Sequence, residues 1–396
     1  MRILILNHFP LEGSGSGIYT KNLARELSEM GHTVKVVFPE IEPVSFDAFE
    51  TRVILFKGPK TQNPEMNYNF PCFTSHPRSN HTYYELTDEE LEGYVQKFVD
   101  VTKEEVELFK PDVIHAQHLW VTPYAASLTG IPYIVTAHGT DLKGFVIDDR
   151  YHKYALEGAK KASKIITISE QVDAEVSELY GVPEEKKQLV MNGYDENLFK
   201  VRNLKREDIL SDFNLSERPD FVVSFAGKLT HFKGVDVLLK AAKIYNETID
   251  GNVLTLIAGN GELYEDLNKM KMELKLDNVK FLGHVNQGQL VDLYNIADVS
   301  TVPSRTEPFG LVAIEALACG TPVVGTNQGG LPDFLIKEVG TLVPVEDDLA
   351  LADAIAWEIQ NKNKTKRALA AADYALKNFS WKRSIGVVEA MYEALI

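Results

Sequence analysis

Cysteine is nearly missing from this chain. Cys72 and Cys319 are the only two in 396 residues. They lie far apart and have no partner at metal-ligand spacing, which excludes a disulfide scaffold and a cysteine-built metal centre and points to a reduced, cytoplasmic setting. Long apolar runs are missing too. No stretch approaches the roughly 20 residues of a membrane span, and the apolar start Met1–Asn7 is too short for a secretory signal core. Basic excess is missing: 41 Lys and Arg stand against 57 Asp and Glu, a net charge of −16 spread over both halves. Non-specific nucleic-acid binding needs a basic face and is excluded as the main role; docking on an anionic membrane is disfavoured. Three catalytic signatures are also absent. There is no Walker A loop, which argues against a P-loop kinase or ATPase, and no Gly-x-Ser-x-Gly elbow, which argues against an α/β-hydrolase. No Asp-x-Asp triplet occurs, so the usual divalent-metal handle for a nucleotide diphosphate is lacking, and neither metal nor cofactor is expected.

What is present is a strand–helix alternation that runs twice. The length asks for two domains. Residues 2–6 read as a buried strand, followed by a Gly/Ser loop, a helix near 17–30 and a strand at 33–38. This is a βαβ unit. Residues 40–82 are loop-rich and remain unordered in this reading. A helix at 87–109, strands at 113–116, 133–137 and 164–168, and helices at 150–163 and 169–180 follow. A short strand at 189–191 closes the half. Residues 196–219 are polar and read as a linker. The pattern restarts at 221–226 and continues through 299–302, a helix at 311–318 and a strand at 322–325, then three terminal helices. The expected class is α/β, with two doubly wound halves.

In such sheets ligands gather at the carboxyl ends of the strands. Three segments sit there. Gly13–Ser14–Gly15–Ser16–Gly17 lies between the first strand and first helix. It misses the dinucleotide fingerprint on spacing, since the third glycine position falls on Ile18 or Thr20. Glu40, at the end of the second strand, is the one feature that favours a dinucleotide. His138, followed by Gly139, projects from the end of a buried strand; His115 and His118 are weaker candidates, and no spacing among them suits a metal. Gly227–Lys228–Leu229–Thr230–His231–Phe232–Lys233–Gly234 places two lysines before a helix start, where free backbone N–H groups favour a diphosphate. The most informative stretch is Glu307–Pro308–Phe309–Gly310–Leu311–Val312–Ala313–Ile314–Glu315. Its loop ends at Gly310 and opens a helix with free N–H groups at 310–312. Glu307 flanks this anion site, and Glu315 is placed two to three turns along the helix. Carboxylates beside an anion site suit a ligand with hydroxyls on both sides of a diphosphate, as in a sugar nucleotide.

With Glu307 and Glu315 spaced as Glu-x7-Glu around Pro-Phe-Gly-Leu, the chain resembles the retaining glycosyltransferases of family 4 over almost its full length. The resemblance implies the GT-B fold: Rossmann-like domains at 1–200 and 201–378 facing an interdomain cleft, and a C-terminal helix, 379–396, crossing back to the first. It implies that Glu315 meets the ribose hydroxyls and Glu307 the sugar 3-hydroxyl. Lys228 and Lys233 would meet the diphosphate. Phe309, Gly310 and Leu311 would contact the donor, as would the loop Gly15–Ser16–Gly17, and His138 the sugar C6 hydroxyl. Asp141 and Asn192 are expected to meet the acceptor. The family usually has Arg where Lys228 stands, so bidentate phosphate geometry is lost there. The segments around His115–Trp120 and His138–Leu142 resemble members that act on small polar acceptors such as aminocyclitols, inositol phosphate or malate. A UDP-hexose, glucose or N-acetylglucosamine, is therefore the expected donor and a hydroxyl the expected acceptor, with His138, Glu307, Lys228 and Lys233 in the catalytic roles. The competing readings are a nicotinamide-dependent oxidoreductase, a non-catalytic nucleotide-sugar-binding protein and a phosphorylase, the last lacking an identifiable cofactor lysine. Oligomeric state is not legible.

Overall fold

The computed structural model describes residues 1–74 and 76–396, and these divide into two compact units, 1–192 with 384–396 and 193–383. The first unit is built on strands β1 (Arg2–Leu6), β2 (Thr33–Glu40), β3 (Glu50–Leu55), β4 (Val113–Gln117), β5 (Tyr133–Ala137), β6 (Lys164–Thr167) and β7 (Lys187–Leu189). All neighbours pair in parallel, in the order β3-β2-β1-β4-β5-β6-β7. Helices α1 (Gly15–Glu29), α2 (Asp88–Phe109), α3 (Thr122–Ser127), α4 (Thr140–Ile147), α5 (His152–Lys161) and α6 (Glu170–Tyr180) make the crossovers. Central strands of a parallel sheet are covered on both faces and read as continuous apolar runs; β4 and β5 are buried at every residue. Local signals fix the helix ends. Thr87 and Glu90 form a reciprocal capping box at the start of α2, with acidic residues throughout its first turn. Ser169 caps α6, and Gly181 ends it in the left-handed conformation.

The second unit repeats the plan with β8 (Phe221–Ala226), β9 (Val253–Ala258), β10 (Val279–Gly283), β11 (Val299–Val302), β12 (Val323–Thr326) and β13 (Gly340–Val343) in the order β10-β9-β8-β11-β12-β13. Its helices are α7 (Arg206–Asp212), α8 (Val235–Thr248), α9 (Tyr264–Glu273), α10 (Gln287–Ile296), α11 (Leu311–Ala318), α12 (Asp348–Gln360) and α13 (Lys364–Phe379). One face of this sheet packs on α8 and α12 through Val237, Leu238, Ile355 and Ile359, all buried. In both sheets the strand order reverses, between β1 and β4 and between β8 and β11, and the loops leaving those strands frame a natural ligand crevice.

The last helix, α14 (Trp381–Glu393), returns to the first unit from Ser384 onward. Tyr392 Oη lies 2.6 Å from His115 Nδ1, and His115 Nε2 lies 2.7 Å from Thr136 Oγ1. Burial drives the His115 imidazole down to about 3, so the ring is neutral and joins α14 to β4 and β5 by hydrogen bonds alone.

Five elements were not legible in advance. Strands β3 and β13 are sheet edges, half-exposed and short of apolar residues. Helices α3, α4 and α7 run only six to eight residues and lack strong periodicity. Thus the 196–219 segment carries a helix, and the 115–150 region carries two. Helix α1 also begins two residues earlier than read, because Ser14 caps it.

Candidate active site

In the second unit two loops meet at the β8/β11 reversal. The β8–α8 loop ends in a 3-10 turn, His231–Lys233, and Gly234. Gly234 has φ +64°, and a Cβ there would stand 2.0 Å from the Pro303 carbonyl oxygen. Only glycine lets this loop press on the β11–α11 loop. That contact places Lys233 Nζ 2.6 Å from Glu307 Oε2, which also accepts the Ser304 hydroxyl at 3.2 Å. Ser304 is fully buried, and its carbonyl accepts Thr326 Oγ1 at 2.7 Å. A third loop, after β12, supports Glu307 from behind. Gln328 Oε1 accepts its N–H at 3.3 Å, and Gly330 N–H donates to its carbonyl at 3.0 Å. Gly329 must be glycine as well, since a Cβ would meet that carbonyl at 1.9 Å at φ +64°.

Helix α11 starts directly beyond Glu307. Gly310 occupies its N-cap with no side-chain cap, so the first N–H groups of Leu311 and Val312 lack intrahelical partners. The open helix start expected at 310–312 is therefore present. Lys228, on the β8–α8 loop, is exposed. Phe309 departs from expectation. Its ring is 4% exposed and packs on Phe334 at 5.5 Å, so only its backbone is free for a ligand. Glu315 departs too. It sits four residues beyond the Leu311 start of α11, just over one turn at 3.6 residues per turn rather than the two to three expected. Desolvation pushes its carboxyl up to about 8, so it is mostly protonated at neutral pH, and offers an O–H and a carbonyl oxygen rather than a carboxylate.

In the first unit a second polar cluster forms where β4 and β5 end. His138 Nε2 lies 2.9 Å from Gln117 Oε1, and its ring meets His118 at 4.7 Å and Tyr19 edge-on at 5.1 Å. Burial first, and the neighbouring His118 second, hold His138 well below the usual imidazole range, with Asp141 pulling weakly the other way. A neutral ring has an N–H to donate in a hydrogen bond, here to the Gln117 amide oxygen, but is not an effective acid at pH 7. Asp141, expected at the acceptor, already has its carboxylate oxygens engaged by backbone N–H groups. It is fully buried, one oxygen accepts Leu119 N–H at 2.6 Å and the other His138 N–H at 3.2 Å. Burial favours its neutral form, but His118 at 3.7 Å and the Leu119 and His138 backbone N–H groups outweigh that and hold it at about 2. Asp141 is thus a brace between two strand-end loops. Gly15, Ser16 and Gly17 form the first turn of α1 rather than a loop, and Gly17 N–H is already taken by Ser14 Oγ at 3.1 Å. Asn192 is buried with its Oδ1 unpartnered; no hydrogen bond ties it to the His138 cluster among the described residues.

The family model described as Glycosyltransferase Family 4 matches residues 13–198, and that described as Glycosyl transferases group 1 matches residues 206–375. A D-inositol 3-phosphate glycosyltransferase of Saccharomonospora viridis is 31% identical over 71% of this chain and 69% of its own length. The chain belongs to glycosyltransferase family 4. This glycosyltransferase is also 32% identical, over 63% of its length, to an uncharacterized glycosyltransferase of Methanocaldococcus jannaschii; that match spans 65% of the relative, a little under two thirds. Its fold is that of Anabaena HepE, solved with UDP and glucose, at a TM-score of 0.74 and 22% identity with all of both chains covered. The two Rossmann-like units and the returning α14 match the GT-B fold, and the family is one of transferases. Among the described residues no helix is long and apolar enough to cross a membrane.

Sequence reading missed Ser304, Arg305 and Gln328, which hold Glu307 or its loop, and Gln117, which holds His138. All are ordinary polar residues in sequence; only their burial and partners mark them.

The raised Glu315 carboxyl gives a pH prediction. Between its ordinary 4.5 and about 8 the folded enzyme holds a proton that the unfolded chain has lost, so stability falls as pH rises through that window. Melting temperature measured from pH 5 to 8 is expected to decline. In Glu315→Gln, which keeps shape without titrating, that part of the slope flattens; an unchanged slope would assign it elsewhere.

Proposed function

We propose that this glycosyltransferase moves a hexose from a UDP-sugar, glucose or N-acetylglucosamine, to a hydroxyl of a small polar acceptor with retention and without a metal ion. The observation that carries this reading is the Lys233–Glu307 pair at 2.6 Å beside the open start of α11. One group is matched to a phosphate, the other to a sugar hydroxyl, and each neutralises the other until a donor separates them. The HepE structure with UDP and glucose supports the donor class, and the inositol-phosphate relative supports a small polyhydroxylated acceptor.

In this reading Lys228, Lys233 and the N–H groups at 310–312 take the charge that develops on the departing diphosphate. Glu307 orients the hexose, and Glu315 hydrogen-bonds the ribose. The acceptor oxygen forms the new bond to the anomeric carbon on the face that the diphosphate leaves. The acceptor proton passes to a diphosphate oxygen, giving the glycoside and UDP. No protein nucleophile is required, unlike the close carboxylate pair of a retaining hydrolase. On the first unit His138 and the Gly15–Ser16 turn are the groups assigned to sugar and acceptor; Asn192 is buried.

Melting curves in EDTA with UDP, GDP and ADP and their glucose conjugates test the donor assignment. UDP and UDP-glucose are expected to raise the melting temperature most, since a ligand bound to the folded state alone stabilises it. A larger shift with GDP or ADP, or one that needs added Mg²⁺, would overturn the corresponding part of the proposal.

A further inference from the structure

Arg305 stands at the point where three loops of the second unit converge, and its side chain is 14% exposed. Its side chain makes four hydrogen bonds. Nη1 and Nη2 fork onto Asp236 Oδ1 and Oδ2 at 2.9 and 2.8 Å, at the first turn of α8. Nη1 also donates to the His231 carbonyl at 2.8 Å, and Nε to Glu346 Oε1 at 2.7 Å. The Arg305 backbone N–H donates to the Phe232 carbonyl at 2.7 Å. The carbonyls of His231 and Phe232 belong to the very turn that presents Lys233, while Arg305 itself lies two residues before Glu307 in the adjoining loop. We infer that Arg305, with Asp236, is a positioning residue of the transfer reaction, a clamp that fixes the Lys233 turn in register with Glu307 so that ammonium and carboxylate meet a donor at one spacing.

The chemistry requires arginine rather than any cation. A planar fork satisfies both carboxylate oxygens and a carbonyl at once, whereas an ammonium on a flexible stem satisfies one and leaves the turn free to pivot. A small error in the position of a charged group at the reacting centre is enough to slow a step that depends on alignment. The inference rests on the donor role proposed for Lys233.

The test is a double-mutant cycle on the full chain, with steady-state kinetics on the UDP-sugar and a melting curve for each variant. Arg305→Lys and Asp236→Asn are each expected to lower kcat/KM for donor by about tenfold, with acceptor KM unchanged. Combining either with Lys233→Ala should add little beyond Lys233→Ala alone, because the clamp acts through that lysine. A purely structural role predicts the opposite. Losses would then track the fall in melting temperature, extend to acceptor KM, and multiply with Lys233→Ala, and that outcome overturns the inference. An Arg305→Lys enzyme as active as the parent, beside an impaired Lys233→Ala, overturns the clamp alone. Should Lys233→Ala itself prove silent, the proposed donor site fails and the clamp with it.

Discussion

Lys233→Ala is expected to lower kcat/KM for the sugar-nucleotide donor by roughly a hundredfold or more, the cost seen when one preorganised group that stabilises developing charge is removed. The loss should appear in kcat as well as in donor KM, because diphosphate charge grows as the bond to the sugar breaks. Acceptor KM should hold. Some stability should be lost as well, because removing the ammonium leaves the buried Glu307 carboxylate without its cation. Lys233→Arg is expected to recover only part of the rate, because the fork cannot occupy the position of the ammonium without moving the turn. Donor kinetics on the three enzymes and their melting curves decide the matter. Full activity in Lys233→Ala would remove the central feature of the proposed site.

Asp141→Ala is the substitution with the largest expected effect on folding. It removes the acceptor for two buried N–H groups, Leu119 and His138, and the anion that faces His118. A buried donor left without a partner costs about 1–3 kcal/mol, so roughly 3–5 kcal/mol is expected. At a few degrees per kcal/mol for a unit of this size, the first unit should melt about 10 °C lower. Activity should fall too, since the loops that Asp141 joins carry His138. The same brace sets an acid limit. Its carboxyl is held at about 2 against an ordinary 3.8, so its contribution is complete above about 3.8 and is lost as pH falls towards 2. A melting temperature unchanged in Asp141→Ala, with only acceptor KM raised, would return Asp141 to direct acceptor contact.

Much of this enzyme was legible in its sequence. Strands β1, β5, β8 and β9 read as mostly apolar runs because a parallel sheet buries both faces. The spacing of Glu307, Gly310 and Glu315 identified both the family and the loop-to-helix start at Gly310, because glycine at a helix start is a local signal. The final helix returned to the first unit as the family resemblance implies. Other features are decided only when distant segments meet. Edge strands β3 and β13 escaped because half-exposed strands lose their apolar signature. Glu315 reads as a carboxylate in sequence, yet desolvation by its neighbours makes it an acid near 8. Asp141 reads as a polar residue beside a candidate histidine, yet two backbone N–H groups, one of them 22 positions away, turn it into a buried brace. Nothing about Arg305 distinguishes it from a surface arginine until Asp236, Glu346 and the Lys233 turn converge on it. The reason is physical. Periodicity and turn chemistry are properties of neighbours along the chain, whereas protonation, hydrogen-bond partners and the position of a charge are set by which groups are buried together, and that is known only once both sheets have formed.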